Sequence, residues 1–194
     1  MELILASGSP RRAEILRTLG LDARVERPEV EESVLPGEAP EAHAERLARE
    51  KALSVALRHP ERWIVAGDTV VTDGRSILGK PQDQEDAVRT LLLLQGRTHR
   101  VISALALVSP DGRSIHSGVQ ITRVTFRPFD SDLAEAYVQT GEPMDKAGSY
   151  GIQGAGAALV DRIEGDYSGV VGLPVPLLVR LMEEAGRPFR FRAP

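Results

Sequence analysis

Cysteine is absent from the 194 residues. That removes disulfides, thiolate metal centres and a cysteine nucleophile from consideration. Aromatic residues make up only 4%, too few for a stacking platform on single-stranded nucleic acid. No apolar run approaches the ~20 residues that a membrane-spanning helix needs. The opening MELILASGSPRR carries its positive charges after the apolar stretch, the reverse of a secretory leader. Basic residues number 24 and acidic residues 28, for a net charge of −4; a mildly acidic chain is a poor electrostatic partner for a nucleic-acid polymer. These absences predict a soluble, cytoplasmic protein without membrane or nucleic-acid partners.

Lysine is the sharpest scarcity. Only Lys51, Lys80 and Lys146 occur; every other cation is Arg. Lys is a compact point charge with three rotatable donors, whereas Arg is a planar fork. A crowded phosphate or carboxylate site can require the former.

What is present reads as alternating helix and strand. Residues 2–6 form a short buried strand, followed by Ser7-Gly8-Ser9 and a helix with Ser9 as cap and Pro10 in its first turn. A strand covers 22–27, a loop 28–40 and a helix 40–57. WIVAGDTVVT (63–72) is a strand, with Asp73-Gly74 turning a hairpin. Further expectations are a helix over 83–94, a long hairpin from 101–108 to 114–126, and a helix over 130–139. A glycine-rich irregular stretch spans 145–172, with a short strand near 157–163, and a last helix covers 173–185. The hairpins require antiparallel pairs, so the predicted fold is α/β with a mixed, partly antiparallel central sheet flanked by helices. No repeat or linker divides residues 1–194, which we read as a single domain.

Several familiar patterns fail. Gly74 to Lys80 matches the start of a P-loop, but Pro81 stands where a magnesium-binding Ser or Thr belongs. Gly151, Gly154 and Gly156 lack the order and the strand-to-helix setting of a dinucleotide fingerprint. His43, His59, His99 and His116 have no metal-ligand spacing. Gly8-Ser9-Pro10 is not a nucleophile elbow.

Four constellations remain. Ser7-Gly8-Ser9-Pro10-Arg11-Arg12 joins a strand to a helix N-terminus, where free N–H groups, hydroxyls and guanidiniums suit an anion; an ordinary capped helix with solvated arginines is the alternative. Asp68, in AGDTVV (66–71), is a carboxylate in an apolar strand, costly unless paired, liganded or catalytic, and Gly67 beside it permits close approach. Glu29, Glu31 and Glu32 in the first loop offer oxygen ligands for magnesium, or are solvated surface. Asp145 to Gly154 gathers charges, Tyr150 and Gln153, whose amide can read a base edge, or forms a flexible loop.

Together these segments resemble the Maf family of nucleoside triphosphate pyrophosphatases. The matching stretches are LASGSPRRAEIL (5–16), EVEES (29–33), LAREKA (47–52), AGDTVV (66–71), LGKPQD (78–83), DKAGSYGIQGAGA (145–157) and GDYSGVVGLP (165–174). The resemblance implies a Maf/ITPase-like fold of two lobes around a deep cleft. It also implies cleavage of a nucleoside triphosphate between its α and β phosphates, with a divalent metal, magnesium or manganese. On this basis Asp68 is the catalytic carboxylate, and Glu32 holds the metal with it. Ser7, Arg12, Lys51 and Lys80 neutralise the triphosphate, while Asp145 and Lys146 are further substrate-side residues. Arg11, Thr69 and Gln153 resemble the subgroup that prefers dTTP and UTP. A homodimer is implied as well. Two other readings stay open at this point: a non-catalytic nucleotide-binding regulator of septum formation, and a pyrophosphatase preferring purine or methylated-guanosine nucleotides.

Overall fold

The computed structural model describes residues 3–191, so Glu2, the first residue of the expected opening strand, lies outside the described residues. The chain is α/β. Its elements, in order, are β1 (Leu3–Ala6), α1 (Pro10–Thr18), β2 (Ala23–Glu26), α2 (Pro40–Ala56), β3 (Trp63–Thr72) and β4 (Ile77–Leu78). There follow α3 (Gln84–Leu94), β5 (Thr98–Val108), β6 (Ile115–Phe126), α4 (Ser131–Gln139), β7 (Val160–Glu164), α5 (Tyr167–Val171) and α6 (Val175–Glu184). The strands hydrogen-bond in the order β2-β1-β3-β5-β6-β7, with β4 paired to β3. β1 runs parallel to both β2 and β3, whereas β4 and β7 pair antiparallel with β3 and β6. β5 and β6 are neighbours joined by a short turn, a connection open only to antiparallel strands. The sheet is mixed, as the hairpin signals require.

The chain divides into two compact units, and β3, β5 and β6 each run from one into the other. The first unit holds the chain up to Asp68, Ser103–Gln120 and the chain from Gly172 onward. Its core joins Leu3 and Leu5 of β1, Leu16 of α1, Val65 of β3 and Leu105 and Leu107 of β5 to Leu177, Leu178, Leu181 and Met182 of α6. The α6 residues repeat at the spacing of a helix stripe, and each fully buried side chain contributes about 1.5–3 kcal/mol. α1 starts with Pro10 as expected, but Ser9 does not cap it: its hydroxyl makes no capping bond. The Ser9 N–H instead donates to Ser7 Oγ at 3.1 Å, because the Ser7 side chain is turned toward the helix start.

The second unit comprises Thr69–Ile102 and Ile121–Val171. α3 and α4 pack together in it. Both start on an aspartate: Asp83 accepts from the Asp86 N–H at 2.8 Å and Asp130 from the Leu133 N–H at 3.0 Å, which satisfies donors that the first helical turn leaves open. Asp73 closes the β3–β4 turn by accepting from the N–H groups of Arg75 and Ser76. Gly74 adopts φ +96° there, so the P-loop lookalike is a hairpin turn. The stretch 145–172 is less irregular than its glycines suggest. Tight 3₁₀ turns occupy Glu142–Asp145, Ala147–Ser149 and Ala155–Leu159, and β7 starts only at Val160. α5 forms within this stretch, where the sequence pattern predicts no helix, and the last helix starts at Val175 rather than 173.

The second unit's core is mostly aliphatic and contains one small aromatic cluster. His99 is 1% exposed, meets Phe126 and Tyr150 edge-on, and shares a 2.9 Å hydrogen bond between Nε2 and the Tyr150 hydroxyl. Burial pushes its pKa down to about 4. The neutral form is therefore the folded form, while the unfolded chain takes up a proton near pH 6.5. His99 stabilises the fold fully above pH 6.5, and that contribution is lost as pH falls toward 4; the loss is of order 3 kcal/mol. Urea unfolding at pH 7 and pH 4.5 should show it. His99→Gln should flatten the dependence across that window, and an unchanged slope would mean that other groups carry it.

Candidate active site

The first unit holds six of the expected site residues: Ser7, Arg11, Arg12, Glu32, Lys51 and Asp68. β1 is wholly buried and ends at Ala6, which delivers Ser7, itself buried, to the start of α1. Ser7 Oγ accepts from Arg12 Nη1 at 3.0 Å, and Arg12 Nε donates to the carbonyl of Gly172 at 2.7 Å. The guanidinium is thus tied at two points. Its pKa is lowered by burial, with Arg11 acting the same way, and the attraction of Asp68 and Glu32 offsets part of this. The group stays charged.

Asp68 lies on β3, a strand buried along nearly its whole length. The Gly67 backbone lies against β5: a Cβ there would come within 2.9 Å of Leu105 Cδ2 and 3.1 Å of the Ala104 carbonyl. The same Cβ would stand 3.4 Å from Arg12 Nε. The small residue beside the carboxylate is a packing requirement of the site.

Lys51 occupies the buried stripe of α2, in register with Ala44, Leu47, Ala48, Ala52 and Val55. An ammonium on such a face needs a partner. It has two: Nζ lies 2.7 Å from Asp68 Oδ1 and 2.6 Å from Glu32 Oε1. Lys51 and Asp68 are 6% and 8% exposed, whereas the Glu32 side chain is 58% exposed. One cation therefore draws a buried carboxylate and an open one to the same point.

Glu32 comes from a loop without regular structure, and residues that carry no expected role hold that loop on α2. Arg46 grips Glu38 with two contacts, Nε to Oε1 at 2.6 Å and Nη2 to Oε2 at 2.8 Å. Nη2 also donates to the carbonyl of Ser33, next to Glu32, at 3.0 Å. His43 Nδ1 lies 2.9 Å from Glu38 Oε2. The Arg46 bonds hold the Glu38 carboxyl well below the usual carboxylate range, against the opposing effect of burial. No local pattern announces Glu38 or Arg46, since their pairing joins a loop to a helix turn eight residues on. His43, a polar residue on an apolar helix face, is the one visible hint.

The donor set fits a hard divalent cation. Two carboxylates converge, and magnesium is held by one or two such groups with water and phosphate oxygens completing the shell. Among the described residues no group of three or more His, Cys, Asp or Glu is placed to hold a metal unaided.

Of the others, Thr69, Lys80, Asp145, Lys146 and Gln153 lie in the second unit. Thr69 follows Asp68 on β3 and is half-buried; Lys80 is exposed. Gly79, beside Lys80, accepts from the Gly148 N–H at 3.1 Å, which ties the Lys80 segment to the glycine-rich stretch. Lys146 turns back on its own 3₁₀ turn, donating to Asp145 Oδ1 at 2.6 Å and to the Glu142 carbonyl at 2.5 Å. Gln153 stands exposed at the tip of its loop. Arg11 is half-buried on α1 in the first unit.

The chain matches the family description "Maf-like protein" over residues 2–185. It is 49% identical over 191 residues to the dTTP/UTP pyrophosphatase of Myxococcus xanthus, covering 98% of this chain and 96% of that one. It is also 49% identical to the dTTP/UTP pyrophosphatase of Desulfotalea psychrophila, covering 91% of each. Among solved structures, the Staphylococcus aureus Ham1 protein matches with a TM-score of 0.47 and 16% identity, over 65% of this chain and 72% of that one. With a match from residue 2 to residue 185 and half the residues shared with full-length relatives, this chain belongs to the Maf family.

Proposed function

We propose that this chain is a nucleoside triphosphate pyrophosphatase that hydrolyses dTTP and UTP to the monophosphate and pyrophosphate. The observation that carries the reading is Lys51 bound at once to Asp68 and Glu32, with the Arg12–Ser7 pair in the same unit. Relatives at 49% identity named dTTP/UTP pyrophosphatase support it.

Asp68 orients the attacking water and takes its proton. As the water oxygen bonds to phosphorus, the P–O bond between the α and β phosphates breaks, and its electron pair stays on the departing oxygen. Asp68, lying on a strand, is held in place while the charge shifts. Arg12 and the Ser7 hydroxyl are fixed donors for phosphate oxygens, and Lys51 pairs with both carboxylates. The resemblance extends the phosphate-binding set to Lys80. Glu32 and Asp68 would hold magnesium or manganese, which would supply positive charge to the phosphate oxygens. Phosphoryl transfer depends mostly on such positioning and charge.

Arg11, Thr69 and Gln153 are the residues we assign to the base. Uracil and thymine present acceptor, donor, acceptor along one edge. The Gln153 amide matches two adjacent members of that pattern, and Arg11 supplies donors only. Cytosine has an amino donor where uracil has a carbonyl, so it leaves donors facing donors. Modified pyrimidine triphosphates fall within the same chemistry. The test is a competition assay with metal and the five common triphosphates, reading pyrophosphate and monophosphate. dTTP and UTP should lead by tenfold or more, roughly what one unsatisfied buried group costs. A flat profile or a purine winner would overturn the base assignment. Binding without pyrophosphate release would overturn the enzyme and favour a nucleotide-binding regulator.

A further inference from the structure

Tyr137 stands near the end of α4 and is 5% exposed; Glu142 opens the 3₁₀ turn that follows. The Tyr137 hydroxyl donates to Glu142 Oε1 at 2.8 Å and accepts from the Gly151 N–H at 3.0 Å. Glu142 Oε2 accepts from the Ala155 N–H at 2.8 Å, and Oε1 accepts from the Gly156 N–H at 3.1 Å. One phenol and one carboxylate thus hold the backbone at Gly151 on one side and at Ala155 and Gly156 on the other. The segment between these anchors is Ile152-Gln153-Gly154. Ile152 is buried, and Gln153 projects outward.

The glycines report the same clamp. None of the three at 151, 154 and 156 adopts a positive φ, so backbone conformation does not demand them. Space does. A Cβ at 151 would stand 2.7 Å from Lys146 Cε and 3.0 Å from Glu142 Oε1. At 154 it would run into the Glu142 carboxylate, and at 156 it would lie 2.5 Å from the Tyr137 hydroxyl. The pattern that imitates a dinucleotide fingerprint in the sequence is the room left for a carboxylate, a phenol and the Lys146 side chain.

We infer that Glu142 and Tyr137 are positioning residues for base selection, holding the Gln153 loop in the one geometry that presents its amide to the pyrimidine edge. This rests on the reading of Gln153 given above. Three donors converge on Glu142: two backbone N–H groups and a phenolic O–H. Both carboxylate oxygens are needed to receive them. Burial alone would push the Glu142 carboxyl up; the bonds from Gly156, Tyr137 and Ala155, with the charge of Lys146, outweigh it and bring it below its ordinary value. An amide of the same shape has one acceptor oxygen and turns an NH₂ toward an N–H. Glu142→Gln therefore removes at least one anchor while leaving the volume unchanged.

The experiment compares Glu142→Gln, Gln153→Ala and their double variant in kcat and KM for dTTP and CTP, with a thermal melt for each. Glu142→Gln should raise KM for dTTP about tenfold, leave kcat within about threefold, and bring the dTTP-to-CTP ratio of kcat/KM toward that of Gln153→Ala. In the Gln153→Ala background it should change the ratio no further, because the group it positions is gone. Tyr137→Phe, which keeps the ring and loses only the hydroxyl bonds, should shift the ratio in the same direction by less. It serves as the measured variant if Glu142→Gln melts early. A folded Glu142→Gln or Tyr137→Phe that keeps the full ratio, while Gln153→Ala loses it, overturns the positioning role. Effects that multiply in the double variant overturn it too. A Gln153→Ala protein that keeps the ratio overturns the Gln153 reading, and the clamp's role in selection with it.

Discussion

Asp68→Asn should fold and lose nearly all turnover, with kcat for dTTP down at least 10²-fold, the lower end of what a positioned base contributes. The amide keeps the shape of the side chain and an oxygen for the Lys51 ammonium, 2.7 Å away in the native protein. What it removes is the negative charge: the proton acceptor for the water and one of two anionic ligands for a metal. Lys51 retains Glu32, at 2.6 Å, so the ammonium is not orphaned and the urea midpoint should move little. A steady-state assay of pyrophosphate release beside an unfolding curve separates the two roles. A variant that keeps more than about a tenth of the wild-type rate would make Asp68 a structural residue and end the mechanism above.

Lys51→Met should do both kinds of damage. The Met chain fills the same slot on α2 between Leu47 and Val55, but the cation between the two carboxylates is gone. Glu32, with a side chain 58% exposed, can turn to water. Asp68, at 8%, cannot. Removing one member of a buried ion pair costs about 3–5 kcal/mol, because the survivor is left charged in a poor solvent. Arg12, whose charge is felt by Asp68, makes the lower figure the better expectation. A urea unfolding curve and a steady-state assay of variant beside parent check both: turnover should be low and the midpoint clearly lowered, and an unmoved midpoint would show that the buried carboxylate does not need the ammonium.

These two residues are legible in the sequence. Asp68 stands out as a carboxylate in an apolar strand, and Lys51 as one of three lysines in a chain that otherwise uses Arg. The first signal violates a burial rule that acts on local pattern and the second is a bias of composition, and a sequence displays both. Glu38 and Arg46, Glu142 and Tyr137, and His99 with Tyr150 were not legible. Each is an ordinary polar residue made important by a partner that the fold supplies. Ser9 shows the converse error: it holds the cap position of α1, yet Ser7 turns toward the helix start and Ser9 contributes only its N–H.

The sequence by itself determined the course of the backbone and the kind of chemistry. Period-two and helical stripes, prolines at helix starts and glycine turns set nearly every element, because those preferences act over a few residues. The ordered motifs from Leu5 to Pro174 set the family. The tertiary structure alone decided which charges meet. It placed Lys51 between Glu32 and Asp68 and tied Arg12 to Ser7 and Gly172. It also turned three glycines into the space for a carboxylate, a phenol and the Lys146 side chain. Ion pairs and hydrogen bonds depend on distances of a few ångströms between residues far apart in the chain, and no spacing along a sequence encodes such distances.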